Sequence, residues 1–122
     1  MQKKILIVDD DQDLLVMLEE MLLGAGYEVI KALDGEEAIV AAKEYIPDLI
    51  ILDVMMPKMD GGKAASIMKE DPITKNIPIV FLTCLVTRSE INGHNVIGDK
   101  YYIAKPYKES ELLDIVNKLL KQ

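Results

Sequence analysis

An apolar run closes in three aspartates in "ILIVDDD" (residues 5–11), and a second run closes in one, Asp53, in "LIILDVMMPKMDGG" (residues 49–62). A turn after a strand does not need a carboxylate held against aliphatic residues, so Asp53 calls for a chemical role. The candidate partners are Asp9 and Asp10, Thr83 at the end of "PIVFLT", and Lys105 in "YYIAKP". Carboxylates gathered in one place repel at pH 7 unless a cation neutralises them. A hard divalent ion such as Mg²⁺ (or Mn²⁺) does so, taking one or two carboxylates, a carbonyl, several waters and often a phosphate oxygen. The compact ammonium of Lys105 and the hydroxyl of Thr83 both suit phosphoryl oxygens. The set fits a carboxylate acting as a nucleophile toward phosphorus. The protein's share of such a reaction is positioning and neutralisation of charge. Asp53, single and central, is the candidate nucleophile; the Asp9/Asp10 pair is the better metal holder.

These groups can meet only if the chain brings strand ends together. Short apolar, β-branched runs predict strands at residues 4–8, 28–32, 48–52, 78–82 and 101–104. Runs apolar on both faces are what a parallel sheet covered by helices requires. Between them Leu14, Leu18, Met21, Leu22 and Ala25 recur at helical spacing, with Gly24 and Gly26 as stop signals. A second helix is predicted over residues 36–45, ending before Pro47, and a third over 61–71. Residues 87–97 carry a helical pattern interrupted by Asn92, Gly93 and Asn95. The last pattern, residues 109–121, places Leu112, Ile115, Val116, Leu119 and Leu120 on one face. Five βα units in 122 residues give an α/β, flavodoxin-like doubly wound sheet of five parallel strands in the order 2-1-3-4-5. An eight-fold barrel needs roughly twice the residues. Right-handed crossovers place every loop after a strand on one edge, so Asp9, Asp10 and Asp53 converge there.

Length and charge narrow the function classes. The 122 residues are expected to form a single domain over 1–122, with no output domain within them, whether they stand alone or belong to a longer protein. A formal net charge of −7 argues against nucleic acid or an anionic membrane as a direct partner, since both need a positive surface. The single cysteine, Cys84, has no partner for an internal disulfide, which points to a reducing compartment. No apolar run reaches membrane-spanning length, so the expected location is the cytoplasm.

On these residues the chain resembles a response-regulator receiver domain over essentially its whole length. The features that carry the resemblance are "ILIVDDD", "LIILDVMMPKMDG", "IVFLT" and "YYIAKPY", in this order and spacing. The resemblance implies that Asp53 is the phosphoacceptor, and that Asp10 and Asp53 hold Mg²⁺ with the backbone carbonyl of Met55. It implies that Asp9 assists through water, that Lys105 contacts the phosphoryl group, and that the Lys105–Pro106 bond is cis. The resemblance further implies that Thr83 swings toward the phosphoryl group and that Tyr102, at the aromatic switch position, follows it inward. Phosphorylation then shifts the population of a surface formed by the family's fourth helix, fifth strand and fifth helix. The implied donor is a phosphohistidine on a sensor histidine kinase or a histidine phosphotransfer protein, with small donors such as acetyl phosphate as substitutes. The implied receiver of the signal is a downstream protein or output domain, with a homodimer formed on phosphorylation among the outcomes. Such a domain is not an enzyme in the sense of turning over a metabolite.

The least family-like stretch is "CLVTRSEINGHNVIGDKYY" (residues 84–102), with Cys84 where many receivers carry a smaller residue and Lys100 in a usually acidic place. The residues two after Asp53 and two after Thr83 are Met55 and Leu85, both apolar. Neither can orient an attacking water, and both can exclude it, so a long-lived phosphorylated form is expected. Taken singly, the same residues have plainer uses. Asp11 suits a helix N-terminus, Lys105 an exposed loop, Tyr102 half-buried packing, and the pairs Asp34-Gly35 and Asp60-Gly61 turns. A phosphorylation-independent receiver-like binding module is the alternative, and the intact Asp10, Asp53, Thr83 and Lys105 argue against it. An acidic-site phosphatase would want a second aspartate where Met55 stands. A flavin-binding protein of the same sheet order would want hydroxyls and glycines where the three aspartates stand.

Overall fold

In a computed structural model of the chain, residues 2–53, 61–83, 96–97, 100–104 and 108–120 are described. Strand β1 (Lys4–Val8) leads into α1 (Gln12–Gly24), β2 (Glu28–Ala32), α2 (Gly35–Tyr45) and β3 (Leu49–Asp53). Then come α3 (Gly61–Glu70), β4 (Ile79–Thr83), β5 (Val96–Ile97), β6 (Lys100–Ala104) and α4 (Glu109–Leu120). The sheet order is β2-β1-β3-β4-β6-β5, and its five long strands are all parallel, as the sequence predicts.

The addition is β5, a two-residue strand antiparallel to β6 with Ile97 opposite Lys100. Val96 and Ile97, read above as the tail of a broken helical pattern, are therefore strand. Both are β-branched and favour a pleated surface, and the short Gly98-Asp99 stretch separating them from Lys100 is hairpin-like in composition. The rest of that pattern, residues 87–95, lies outside the described residues.

Two apolar clusters cover the two faces of the sheet. On one, Ile5, Ile7, Leu49, Ile51, Val80, Leu82 and Ile103 meet Leu15, Leu18 and Leu22 of α1 and Leu112, Ile115, Val116 and Leu120 of α4. On the other, Leu6, Val8, Ile50, Leu52, Ile79 and Phe81 meet Ala38 and Ala42 of α2 and Ala64, Ala65 and Met68 of α3. In the central strands the alternation serves both faces, which is why β1, β3 and β4 read as apolar runs, whereas the edge strand β2 exposes Glu28 and Lys31. In α1 the buried stripe runs through Leu15, Leu18 and Leu22. Leu14 and Met21 from the predicted stripe are half-buried, and Ala25 is exposed because it caps the helix instead of continuing it. Gly26 follows with φ +96, a conformation that glycine adopts at little cost.

Asp34 and Gly35 are not a free turn. Asp34 is the N-cap of α2, its Oδ1 accepting the Glu37 N–H at 2.9 Å, while Glu37 Oε1 accepts the Leu33 N–H at 3.0 Å. This reciprocal pairing resembles a capping box and fixes where α2 begins.

Candidate functional site

The register of the sheet builds the site. Val8 of β1 lies opposite Leu52 of β3, so the next residues, Asp9 and Asp53, are neighbours at the carboxyl edge. Asp53 in turn pairs with Leu82 of β4, and Thr83 pairs with Ala104, the residue before Lys105. Asp9, Asp53 and Thr83 therefore end neighbouring strands along one edge. This is the place where open α/β sheets bind ligands.

The three consecutive aspartates have three separate environments. Asp9 is only 1% exposed; its N–H donates to the Ala32 carbonyl at 3.2 Å, extending the β1–β2 ladder by one residue. Its Oδ1 accepts the Asp11 N–H at 3.0 Å. Asp11 is the N-cap of α1, its Oδ1 accepting from the N–H groups of Asp13 at 3.0 Å and Leu14 at 3.3 Å. The helix-start reading thus accounts for Asp11 and leaves Asp10, which is exposed, free of that duty. Asp53 is 6% exposed at the end of β3.

Asp9, Asp10 and Asp53 each offer a carboxylate oxygen, and these oxygens lie within 4.8 Å of one another. Two of the carboxylates are buried, and charge taken out of water has to be compensated. An all-oxygen, triply acidic set fits a hard divalent ion, which commonly uses one or two carboxylates directly and others through water.

The family of the response regulator receiver domain matches residues 5–117. The chain belongs to that family. Receiver domains are signalling domains of two-component response regulators, acting through phosphorylation together with histidine kinases and output domains, and they bind Mg²⁺ at an acidic pocket. This receiver is 36% identical over 122 residues to the alkaline phosphatase synthesis transcriptional regulatory protein PhoP of Bacillus subtilis, covering all of this chain and 50% of that protein. The chain spans about half the length of the curated relatives it matches. Among solved structures it is similar to the chemotaxis response regulator CheY4 of Vibrio cholerae, with 32% identity and a TM-score of 0.85 over 98% of this chain and 100% of that one. It is also similar to the receiver domain of the sensor histidine kinase PA1611 of Pseudomonas aeruginosa, at 29% identity and a TM-score of 0.83 over the full length of both chains. That structure carries a magnesium ion coordinated in its active-site cleft.

Of the receiver's sequence-predicted site residues, Asp9, Asp10 and Asp53 are brought together, and Thr83 ends β4 on the same edge. Met55, Cys84, Leu85, Lys105 and the Lys105–Pro106 bond lie outside the described residues. Tyr102 is half-buried on β6, packed on the cluster under α2 and α3. Its ring is stacked on that of Phe81, with centroids 5.2 Å apart and planes at 24°. Phe81 drew no attention as sequence. Only the pairing of β4 with β6, which sets Phe81 opposite Tyr102, makes it a neighbour of the site. Among the described residues no helix is long and apolar enough to cross a membrane.

Proposed function

We propose that this receiver, as a single domain over residues 1–122, is a phosphorylation-activated switch that catalyses transfer of a phosphoryl group to its own Asp53. The observation that carries the reading is the convergence of Asp9, Asp10 and Asp53 at one strand edge, their oxygens within 4.8 Å. Asp10 and Asp53, with the Met55 carbonyl, would hold Mg²⁺ (or Mn²⁺), and Asp9 would act through water. The ion, when bound, neutralises negative charge on the carboxylates and on the phosphoryl oxygens. An Asp53 carboxylate oxygen forms the new bond to phosphorus. The phosphorus–nitrogen bond of the donor phosphohistidine breaks, its electron pair staying on the ring nitrogen; the donor ring, protonated on its other nitrogen, leaves as neutral imidazole. Lys105 supplies positive charge to the transferring group, and Thr83 donates a hydrogen bond to it once it sits on Asp53.

Hydrolysis reverses the state: water adds to phosphorus, inorganic phosphate leaves and the Asp53 carboxylate is restored. The apolar Met55 and Leu85 offer that water no orienting group, which supports a long-lived phosphoryl form. The switch would work through Thr83 and Tyr102 on the surface that includes β6 and α4. Its partners would be a sensor histidine kinase or phosphotransfer protein and a downstream protein or output domain. The expected location is the cytoplasm.

Intact mass spectrometry after incubation with Mg²⁺ and acetyl phosphate tests this reading. The expected result is a single phosphoryl adduct that requires Mg²⁺, is absent in Asp53→Asn, and decays over many minutes. Decay within seconds would remove the lifetime claim alone. If no adduct forms and Mg²⁺-dependent beryllofluoride binding is absent too, the phosphorylation-independent binding module takes its place.

A further inference from the structure

Resting on the reading of Tyr102 as the switch ring, we infer that Phe81 is a positioning residue, a fixed aromatic platform that holds Tyr102 inward before any phosphoryl group arrives. Phe81 is 6% exposed and belongs to the cluster that includes Leu52, Ile79, Ala65 and Met68. Packing on all sides leaves it a single place to be. Tyr102 is its register partner on the neighbouring parallel strand and is half-buried. A centroid separation of 5.2 Å with planes at 24° falls in the offset-stacked range that aromatic pairs favour.

The placement along the strands gives the stack its consequence. Phe81 stands two residues before Thr83 on β4, and Tyr102 stands two before Ala104, the register partner of Thr83. The stacked rung therefore lies two rungs before the one where the phosphoryl response begins. An aliphatic side chain at position 81 would fill space there but would offer no ring face. An aromatic pair of this kind biases a two-position equilibrium by about two- to tenfold. Apparent affinity for whatever stabilises the inward state rises with the fraction of molecules already in it. Phe81 thus sets how far the switch is loaded in the unphosphorylated protein.

The test is calorimetric titration of the full chain with beryllofluoride at fixed Mg²⁺, on wild type, Phe81→Leu, Tyr102→Leu, Tyr102→Phe and the Phe81→Leu/Tyr102→Leu double variant. Phe81→Leu is expected to weaken binding by about two- to tenfold, and to add nothing further once Tyr102→Leu is present. Tyr102→Phe, which keeps a ring to stack, loses less than Tyr102→Leu. A Phe81→Leu effect of equal size in both backgrounds would mean general core damage and overturns the inference, as does no effect in either. Should Phe81→Leu fail to fold, equal affinities for Tyr102→Phe and Tyr102→Leu overturn it instead. Absent binding by wild type counts against the phosphorylation reading itself and takes the inference with it; wild-type binding with a silent Phe81→Leu counts against Phe81 alone.

Discussion

Three adjacent side chains of one type, Asp9, Asp10 and Asp11, end up tethered and buried, exposed, and capping a helix. What separates them is where β1 stops and α1 starts, since each step of the chain changes which backbone groups are within reach. The capping duty of Asp11 was legible from its position ahead of a helical stripe. The nearness of Asp9 and Asp10 to Asp53 was legible only through the expected strand order. Phe81 was not legible at all, because its partner lies 21 positions along the chain and register cannot be read from either strand alone. The charge crowding has a measurable price in the metal-free protein. Replacing one of three neighbouring carboxylates by an amide of the same shape relieves repulsion, so Asp53→Asn is expected to melt higher without divalent cations. The gain should be on the order of 1 kcal/mol, or about 4 °C for a domain of this size. Added Mg²⁺ stabilises the native state by mass action, so the rise in melting temperature with Mg²⁺ should be large for wild type and small for the variant. Thermal melts with and without Mg²⁺ check both halves, and an equal Mg²⁺ response would move the metal away from Asp53.

Elements were easier to foresee than their ends. The third strand is predicted over residues 48–52 and found at Leu49–Asp53. Asp48 sits just outside it, donating its N–H to the Lys4 carbonyl and accepting the Lys4 N–H on Oδ2, both at 2.8 Å. A side chain that completes the ladder in place of backbone blurs the boundary that composition alone can draw. The helix before it ends where Pro47 predicts, but by an unusual device. Ile46, the C-cap of α2, takes φ 46 and ψ 66, a left-handed conformation that crowds a β-branched side chain, and it is 55% exposed. Asparagine tolerates that region far better, and little apolar burial is lost by placing it there. Ile46→Asn is therefore expected to stabilise the fold by about 0.5–1 kcal/mol. Urea unfolding should show a higher midpoint with an unchanged slope. A lower midpoint would mean that the half-exposed isoleucine packs more than its exposure suggests.

Sheet order was legible because the central strands β1, β3 and β4 are apolar on both faces and the first three crossovers are made by α1, α2 and α3, which leaves few ways to wind the chain. What periodicity could not give is how the far ends of the molecule are tied. Tyr27, 3% exposed in the corner between α1 and β2, donates its hydroxyl to Oδ1 of Asn117 in α4, spanning 90 positions of sequence. The contact joins the corner after α1 to α4 on the same face, and it gives the whole fold a dependence on pH. Burial raises the Tyr27 phenol above its ordinary 10.0 by disfavouring the charged form. Below that ordinary value both folded and unfolded chains keep the proton, and the contribution to stability is fully present. As pH rises past it the unfolded chain ionises first, so stability falls until the folded phenol also titrates. Tyr27→Phe gives up the hydrogen bond, at a cost of about 1 kcal/mol near neutrality, but cannot ionise. Melting temperatures followed from neutral to strongly alkaline pH should therefore converge, wild type starting higher and falling faster. Parallel curves would show that the phenol titrates alike in folded and unfolded chains, and that the corner is open to water.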